Sequence, residues 1–166
     1  MTAISALPFL IVDRLLTLII VSVAVLMLAL GQAQAEAPIL SAPEAADKMQ
    51  SNDMIVLDIR SPQEWAQTGV AKGAWPVSMH QADFGQRLNV ILQNYRPDQI
   101  AMICATGGRT AYIIDILAKN NISGVADVSE GMMGNPKGPG WIARGMPVVS
   151  DKVAKAAYET ATKAWK

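Results

Sequence analysis

The sequence predicts an α/β fold, with a central parallel sheet of about five strands and helices on both faces. Short apolar runs alternate along the chain with segments that begin at helix-capping residues, and this alternation is typical of parallel sheets. The apolar runs are continuous, which favours strands buried on both faces over strands with one face in water. No internal repeat is visible.

Each predicted strand is a short apolar run. One of them contains Pro76 and is expected at the edge of the sheet, because proline cannot donate to a neighbouring strand. Another ends directly at the only cysteine, Cys104. The predicted strands are 38–40, 54–57, 74–77, 100–103 and 125–128.

The predicted helices are recognised by their first residues. Ser41 precedes Glu44 by three positions, which is the spacing of a capping box. Ser61 and Glu64 repeat this spacing, and the proline between them suits the first helical position. We therefore interpret Glu64 as a helix cap. Further helices are predicted over 83–94, over 109–120 and from a cap at Asp151, with a Pro- and Gly-rich loop at 135–140.

The N-terminal part of the chain predicts export. Residues 15–30 are almost unbroken aliphatic, Arg14 precedes them, and Ala33-Gln34-Ala35 follows. A basic flank, an apolar core and a small-x-small exit are typical of a secretory signal peptide. The alternative is an uncleaved membrane anchor, although the run is shorter than the roughly 20 residues of a spanning helix. Either interpretation places the rest of the chain in the periplasm or otherwise outside the cytoplasm. The expected organisation is a signal peptide (1–35), one domain (36–150) and a C-terminal helical extension (151–166).

Composition excludes several classes of function. The chain has 14 basic and 14 acidic residues and shows no basic run, so nucleic acid is not an expected partner. One cysteine and one histidine, His80, cannot supply a four-ligand zinc site. We expect neither a metal nor a cofactor, and we expect a membrane partner only if the N-terminal segment is retained.

Cys104 begins the segment that is best suited to chemistry. It lies between a predicted strand and a predicted helix, where open α/β sheets place their ligands. Gly107 and Gly108 allow the backbone to curl so that successive N–H groups form an anion nest. The helix N-terminus and Arg109 add positive charge. Such surroundings stabilise a thiolate, although a buried structural cysteine in an ordinary turn is the alternative.

Several motifs in order resemble the rhodanese family. Cys-x-x-Gly-x-Arg-Thr at 104–110 is similar to its active-site loop, and Asp58-x-Arg60 followed by Glu64-Trp65 is similar to its segment after the second strand. Further resemblance lies in 69–74, in the Glu-Gly pair at 130–131, and in the Trp and Gly-Met-Pro-Val of 141–148. The resemblance covers about 38–149. Val70 replaces a family histidine, and the segment before Trp141 is unusually long.

The resemblance implies a single-domain thiosulfate sulfurtransferase of rhodanese-like fold. Cys104 would carry the sulfur and Arg109 would bind the departing oxyanion. The backbone around them would bind the substrate; this comprises Ala105, Thr106, Gly107, Gly108 and Thr110. Asp58 and Arg60 are expected to support the loop through hydrogen bonds. The implied donor is a small anionic sulfur compound, and the implied acceptor is a thiol, cyanide or the cysteine of a partner protein.

Two other functions stay open. Some rhodanese-like domains are non-catalytic binding modules, but those commonly lack the loop cysteine. A cysteine phosphatase or arsenate reductase is the less favoured alternative, because those loops place five residues between cysteine and arginine, whereas four separate Cys104 from Arg109.

Overall fold

The computed structural model of the protein describes residues 37–165. These residues belong to one compact unit, Ala35–Lys166, whereas the predicted signal peptide lies outside the described residues. The elements in chain order are β1 (Ile39–Leu40), α1 (Ala42–Gln50), β2 (Ile55–Asp58), α2 (Pro62–Thr68), β3 (Val70–Ala71), β4 (Trp75–Pro76), α3 (Phe84–Asn94), β5 (Ile100–Ile103), α4 (Gly108–Lys119), β6 (Ala126–Val128), α5 (Gly140–Ala143), β7 (Val148–Val149) and α6 (Asp151–Thr162), with 3₁₀ turns at Pro97–Gln99 and Lys163–Trp165.

Five strands form the predicted parallel sheet. Their order is β1-β6-β5-β2-β4, and every neighbouring pair is parallel. The strand that contains Pro76 lies at the edge, as predicted. Met102 of β5 stands opposite Leu57 of β2 and Asp127 of β6. The carboxyl ends of these three strands therefore meet at one edge of the sheet, directly before Cys104.

Helices cover both faces of the sheet, which confirms the predicted fold class. Alternate residues of β2 and β5 enter two separate cores, as the period of a strand requires. Val56 contributes to the core beneath α1, α2, α5 and α6. Leu57 contributes to the core beneath α3 and α4, and Cys104 extends this second core. Both side chains are fully buried, and each such burial stabilises the fold by about 1.5–3 kcal/mol.

Both predicted capping boxes are present. Glu44 accepts from the Ser41 N–H at 2.8 Å and from its hydroxyl at 2.7 Å. Glu64 accepts from Ser61 in the same way, at 2.9 Å for each bond. The last helix differs from the prediction. Its N-cap is Ser150, whose hydroxyl accepts from the Val153 N–H, and the predicted cap Asp151 is the first helical residue.

The sequence did not predict two short elements. Helix α5 follows the Pro- and Gly-rich loop, and β7 pairs antiparallel with β3 in a separate two-stranded sheet. Trp141 of α5 links the two elements. Its indole N–H donates at 2.9 Å to the carbonyl of Pro147, the residue directly before β7. In the part of the chain that the structure describes, no helix is both long and apolar enough to cross a bilayer.

Candidate active site

The Cys104 thiol lies at the carboxyl end of β5, where the chain turns into α4. Gly107 makes this turn with φ of 84°, a left-handed conformation that favours glycine. Its N–H donates to the Cys104 sulfur at 3.2 Å. The cysteine is fully buried. The loop therefore closes over the sulfur and leaves one backbone donor directed at it.

Of the N–H groups in the predicted anion nest, that of Gly107 bonds to the sulfur of the cysteine itself. In the described residues, Gly107 N–H is the only backbone N–H that bonds to the Cys104 sulfur. Gly108 and Arg109 occupy the first turn of α4, where helical geometry leaves N–H groups without an intrahelical acceptor. These groups are available to an anion that reaches the helix N-terminus.

The Arg109 side chain is held by Glu64. The two terminal nitrogens of the guanidinium donate to the two carboxylate oxygens, at 2.7 and 2.5 Å. Both side chains are about 70% buried. The hydrogen bond from Arg109 is the main reason why the pKa of Glu64 falls from 4.5 to about 2, and Glu64 in turn raises the pKa of Arg109. The ion pair therefore fixes the orientation of the arginine in the turn that follows Cys104.

Sequence reasoning correctly identified Glu64 as a helix cap but missed its bond to Arg109. The spacing of the capping box carries no signal of a partner 45 positions away along the chain. His80, the one histidine of the sequence, is exposed in the loop after β4. Its Nε2 lies 3.2 Å from an Arg109 nitrogen. The arginine is thus contacted by a helix cap and by a loop histidine from distant parts of the chain.

Thr110 connects the loop to a buried carboxyl group. Its hydroxyl oxygen lies 2.8 Å from the Gly107 carbonyl, 2.6 Å from Asp127 Oδ1 and 3.9 Å from the Cys104 sulfur. Asp127 lies on β6 and is 6% exposed. Burial raises the pKa of its carboxyl group above the ordinary value. Asp127 is the one charged residue in the otherwise apolar run 125–128. This is the sequence signal that could have identified it as a residue of the site.

The Pro- and Gly-rich segment folds onto the cysteine loop. The Asn135 side-chain amide donates to the carbonyls of Thr106 and Ser129, at 2.8 and 2.6 Å. The N–H groups of Met132 and Met133 donate to the carbonyls of Cys104 and Ala105, each at 2.8 Å. The segment that follows β6 therefore holds the cysteine loop from outside.

Glu130 anchors this segment to the body of the domain. Its carboxylate accepts from the Ala42 N–H at 2.6 Å, from the Gly140 N–H at 2.9 Å and from the Arg144 guanidinium at 3.0 Å. Although burial opposes ionisation, these bonds hold the pKa of Glu130 below its ordinary value. One carboxylate thus binds the first turns of α1 and α5 together.

Asp58 and Arg60 support the site differently from the prediction. They form a fully buried ion pair with a shortest distance of 2.6 Å. Arg60 also donates to the Thr68 hydroxyl and to the Gly69 carbonyl, at 2.8 and 2.7 Å. Within residues 37–165, no hydrogen bond joins the side chains of this pair to the cysteine loop, contrary to the prediction. The pair instead fixes the turn at the end of α2, the helix that carries Glu64.

The comparisons with known proteins agree with this architecture. The model of the rhodanese-like domain matches residues 41–134, which is more than half of the chain. The protein belongs to the rhodanese-like family. No curated protein matches the chain.

Among solved structures, the polysulfide-sulfur transferase homodimer of Wolinella succinogenes is similar in fold. It is 21% identical, with a TM-score of 0.53, and the match covers 76% of this chain and 88% of that one. A rhodanese-related protein of Thermoplasma volcanium is 23% identical, with a TM-score of 0.46 over 68% and 97% of the two chains. A Rhodopseudomonas palustris protein described as a possible tyrosine phosphatase is 21% identical, with a TM-score of 0.45 over 71% and 89%.

Proposed function

We propose that the protein is a sulfurtransferase that carries a sulfane sulfur as a persulfide on Cys104. The observation that carries this proposal is the position of the thiol. It lies at the carboxyl end of a central strand and accepts a backbone hydrogen bond, and Arg109 is held in the next turn. A nucleophile beside an oriented cation and a helix N-terminus suits attack on a small anionic donor.

The proposed reaction is a double displacement. The Cys104 thiolate attacks the outer sulfur of thiosulfate, so a new S–S bond forms at the cysteine while the S–S bond of thiosulfate breaks. Sulfite leaves with the electron pair, and Arg109 with the free N–H groups of the α4 first turn binds its oxygens. An acceptor thiolate or cyanide then attacks the outer sulfur of the persulfide. That second displacement restores the Cys104 thiolate, and the balance requires no cofactor.

The loop length supports sulfur chemistry over phosphoryl chemistry. Four residues separate Cys104 from Arg109, and the loop encloses the thiol completely. A tetrahedral phosphate needs a wider ring of donors than an outer sulfur atom does. Aryl phosphates are therefore expected to be poor substrates, even at high concentrations of the protein.

The burial of Cys104 specifically favours a second candidate, a non-catalytic binding module. A thiol that is 0% exposed must become accessible before it can react. Steady-state assays separate the two functions. A sulfurtransferase should form thiocyanate from thiosulfate and cyanide with ping-pong kinetics, and Cys104→Ser should abolish this activity. A folded wild-type protein that forms no thiocyanate with thiosulfate or inorganic polysulfide would leave the binding module as the better proposal.

The proposed location is the periplasm or another compartment outside the cytoplasm. The support is the apolar run at 15–30 with Ala33-Gln34-Ala35 behind it. N-terminal sequencing of the protein from its native host should find Glu36 as the first residue. Recovery of Met1 in a membrane fraction would instead establish a retained anchor.

A further inference from the structure

A cavity of about 490 Å³, which we call the α6 cavity, lies where the C-terminal helix packs against the domain. Its walls are Trp65 of α2, Pro76 at the end of β4, Arg87 of α3 and one side of α6. This volume is within the range of small-molecule sites in proteins. Helix α6 follows the residues that match the family, 41–134, so the wall that it provides lies beyond that match.

The α6 cavity shares two walls with the candidate active site. Trp65 directly follows Glu64, and Gln81, which also lines the cavity, directly follows His80. Glu64 and His80 both contact the guanidinium of Arg109. Successive residues are only about 3.8 Å apart along the chain. A molecule in the cavity therefore lies next to the residues that hold this arginine.

The charged groups around the α6 cavity are of both signs. Arg87 Nε donates to Asp83 at 2.7 Å, and Lys155 Nζ donates to Asp151 at 2.8 Å. In the part of the chain that the structure describes, the terminal nitrogens of Arg87 and the carboxylate of Glu159 have no protein partner. Arg87, Lys155 and Glu159 all line the cavity. Two cations and three carboxylates nearly balance, so a ligand with one charge of each sign complements the cavity better than a simple anion does.

Trp65 adds a buried donor that lacks an acceptor. Its side chain is 2% exposed, and its indole N–H bonds to no acceptor among the described residues. Buried polar groups nearly always have a hydrogen-bond partner. The ammonium of Lys155 lies 5.7 Å from the centre of the Trp65 ring. A ligand carboxylate at this wall would accept from the indole and lie close to a positive charge.

We propose that the α6 cavity binds the acceptor of sulfur transfer, a small thiol that carries both a carboxylate and an ammonium group. Arg87 and the Trp65 indole bind the carboxylate, and Glu159 binds the ammonium. The acceptor thiolate attacks the outer sulfur of the Cys104 persulfide. A new S–S bond forms in the acceptor, the persulfide bond at Cys104 breaks, and the cysteine leaves as the thiolate with the electron pair. This inference rests on the proposed function, because it needs a persulfide to attack.

Three thiols test which group of the cavity binds which group of the acceptor. They are L-cysteine, 3-mercaptopropionate, which lacks the ammonium, and 2-mercaptoethylamine, which lacks the carboxylate. Arg87→Gln should raise KM for the two carboxylates about tenfold relative to KM for the amine, as expected for a lost hydrogen bond between charged groups. Glu159→Gln should instead raise KM for cysteine and the amine relative to 3-mercaptopropionate. Comparing each variant with the wild type removes the differences in reactivity among the thiols.

Lys152→Gln is the matched control. It removes an exposed charge from α6 that does not line the cavity, and it should change no KM ratio. Equal changes for all three thiols in both Arg87→Gln and Glu159→Gln would overturn the proposal.

A binding measurement does not depend on turnover. The unreactive analogue S-methylcysteine should move the indole N–H resonance of Trp65 in ¹⁵N-labelled wild-type protein. The resonance of Trp141, which already donates to Pro147, should stay. A persulfide on Cys104 that transfers to cyanide, with no movement of the Trp65 resonance up to the solubility of the analogue, overturns the acceptor site alone. A Trp65 resonance that moves in a protein that forms no persulfide overturns the proposed function instead.

Discussion

Replacing Glu64 with alanine tests whether the ion pair with Arg109 serves catalysis as well as helix capping. The chain contains a matched control, because Glu44 forms the same capping box with Ser41 but does not bond to an arginine. Each alanine variant removes one capping box, which costs about 1 kcal/mol of stability. Only Glu64→Ala also releases Arg109.

The structure gives a magnitude for the difference between the two variants. The pair is bidentate and both side chains are less than one third exposed, so its loss should cost about 1–2 kcal/mol beyond the cap. An arginine that is no longer oriented should lower the turnover of thiosulfate by about 10–100-fold. Glu44→Ala should leave turnover within about twofold of the wild type.

The stability difference should also depend on pH. The pKa of Glu64 in the folded protein is about 2, compared with 4.5 as its ordinary value. A lowered pKa means that the stabilisation is fully present above 4.5 and is lost as the pH falls toward 2. Urea unfolding at several pH values, followed by circular dichroism, measures this difference, and thiocyanate formation measures turnover. Equal stability losses and equal turnover in the two alanine variants would refute a role for the pair.

Three other substitutions test the contacts around the loop. Asn135→Ala releases the Thr106 carbonyl and should lower sulfur transfer about tenfold with a stability loss near 1 kcal/mol, measured by the same assays. Gly107→Ala should cost about 2–3 kcal/mol, because φ is 84° and an added Cβ would lie too close to a backbone carbonyl; unchanged thermal unfolding would contradict this. Glu130→Ala leaves Arg144 and two backbone N–H groups without their acceptor and should cost about 3–5 kcal/mol, a loss that Glu130→Gln should reduce in urea unfolding.

The fold was predictable from the sequence because its signals are local. Continuous apolar runs identified the five parallel strands, and the Ser-x-x-Glu spacing identified two helix starts that the structure confirms. The position of Cys104 followed from the same reasoning, since it directly follows a buried strand. Helix α5 was missed because it is short and follows a Pro- and Gly-rich segment, and because Glu130, from outside the helix, accepts its first N–H. Strand β7 was missed because it has only two residues.

The contacts that shape the candidate site depend on distant residues. Glu64 and Arg109 are 45 positions apart, and Thr110 and Asp127 are 17 apart. Spacing along the chain does not report such pairs, which depend on how helices and strands are placed against the sheet. The same limit explains why the buried pair of Asp58 and Arg60 was assigned to the cysteine loop, although its bonds go to the end of α2.

Intact-protein mass spectrometry measures the central claim most directly. After incubation with thiosulfate and removal of the excess donor, the wild type should gain one sulfur atom, about 32 Da, as expected for a persulfide. Cyanide should remove the added mass, and peptide mapping should place it on Cys104. Cys104→Ser should gain nothing. A folded wild type that gains no mass, or a gain that persists in Cys104→Ser, would contradict a persulfide carried by this cysteine.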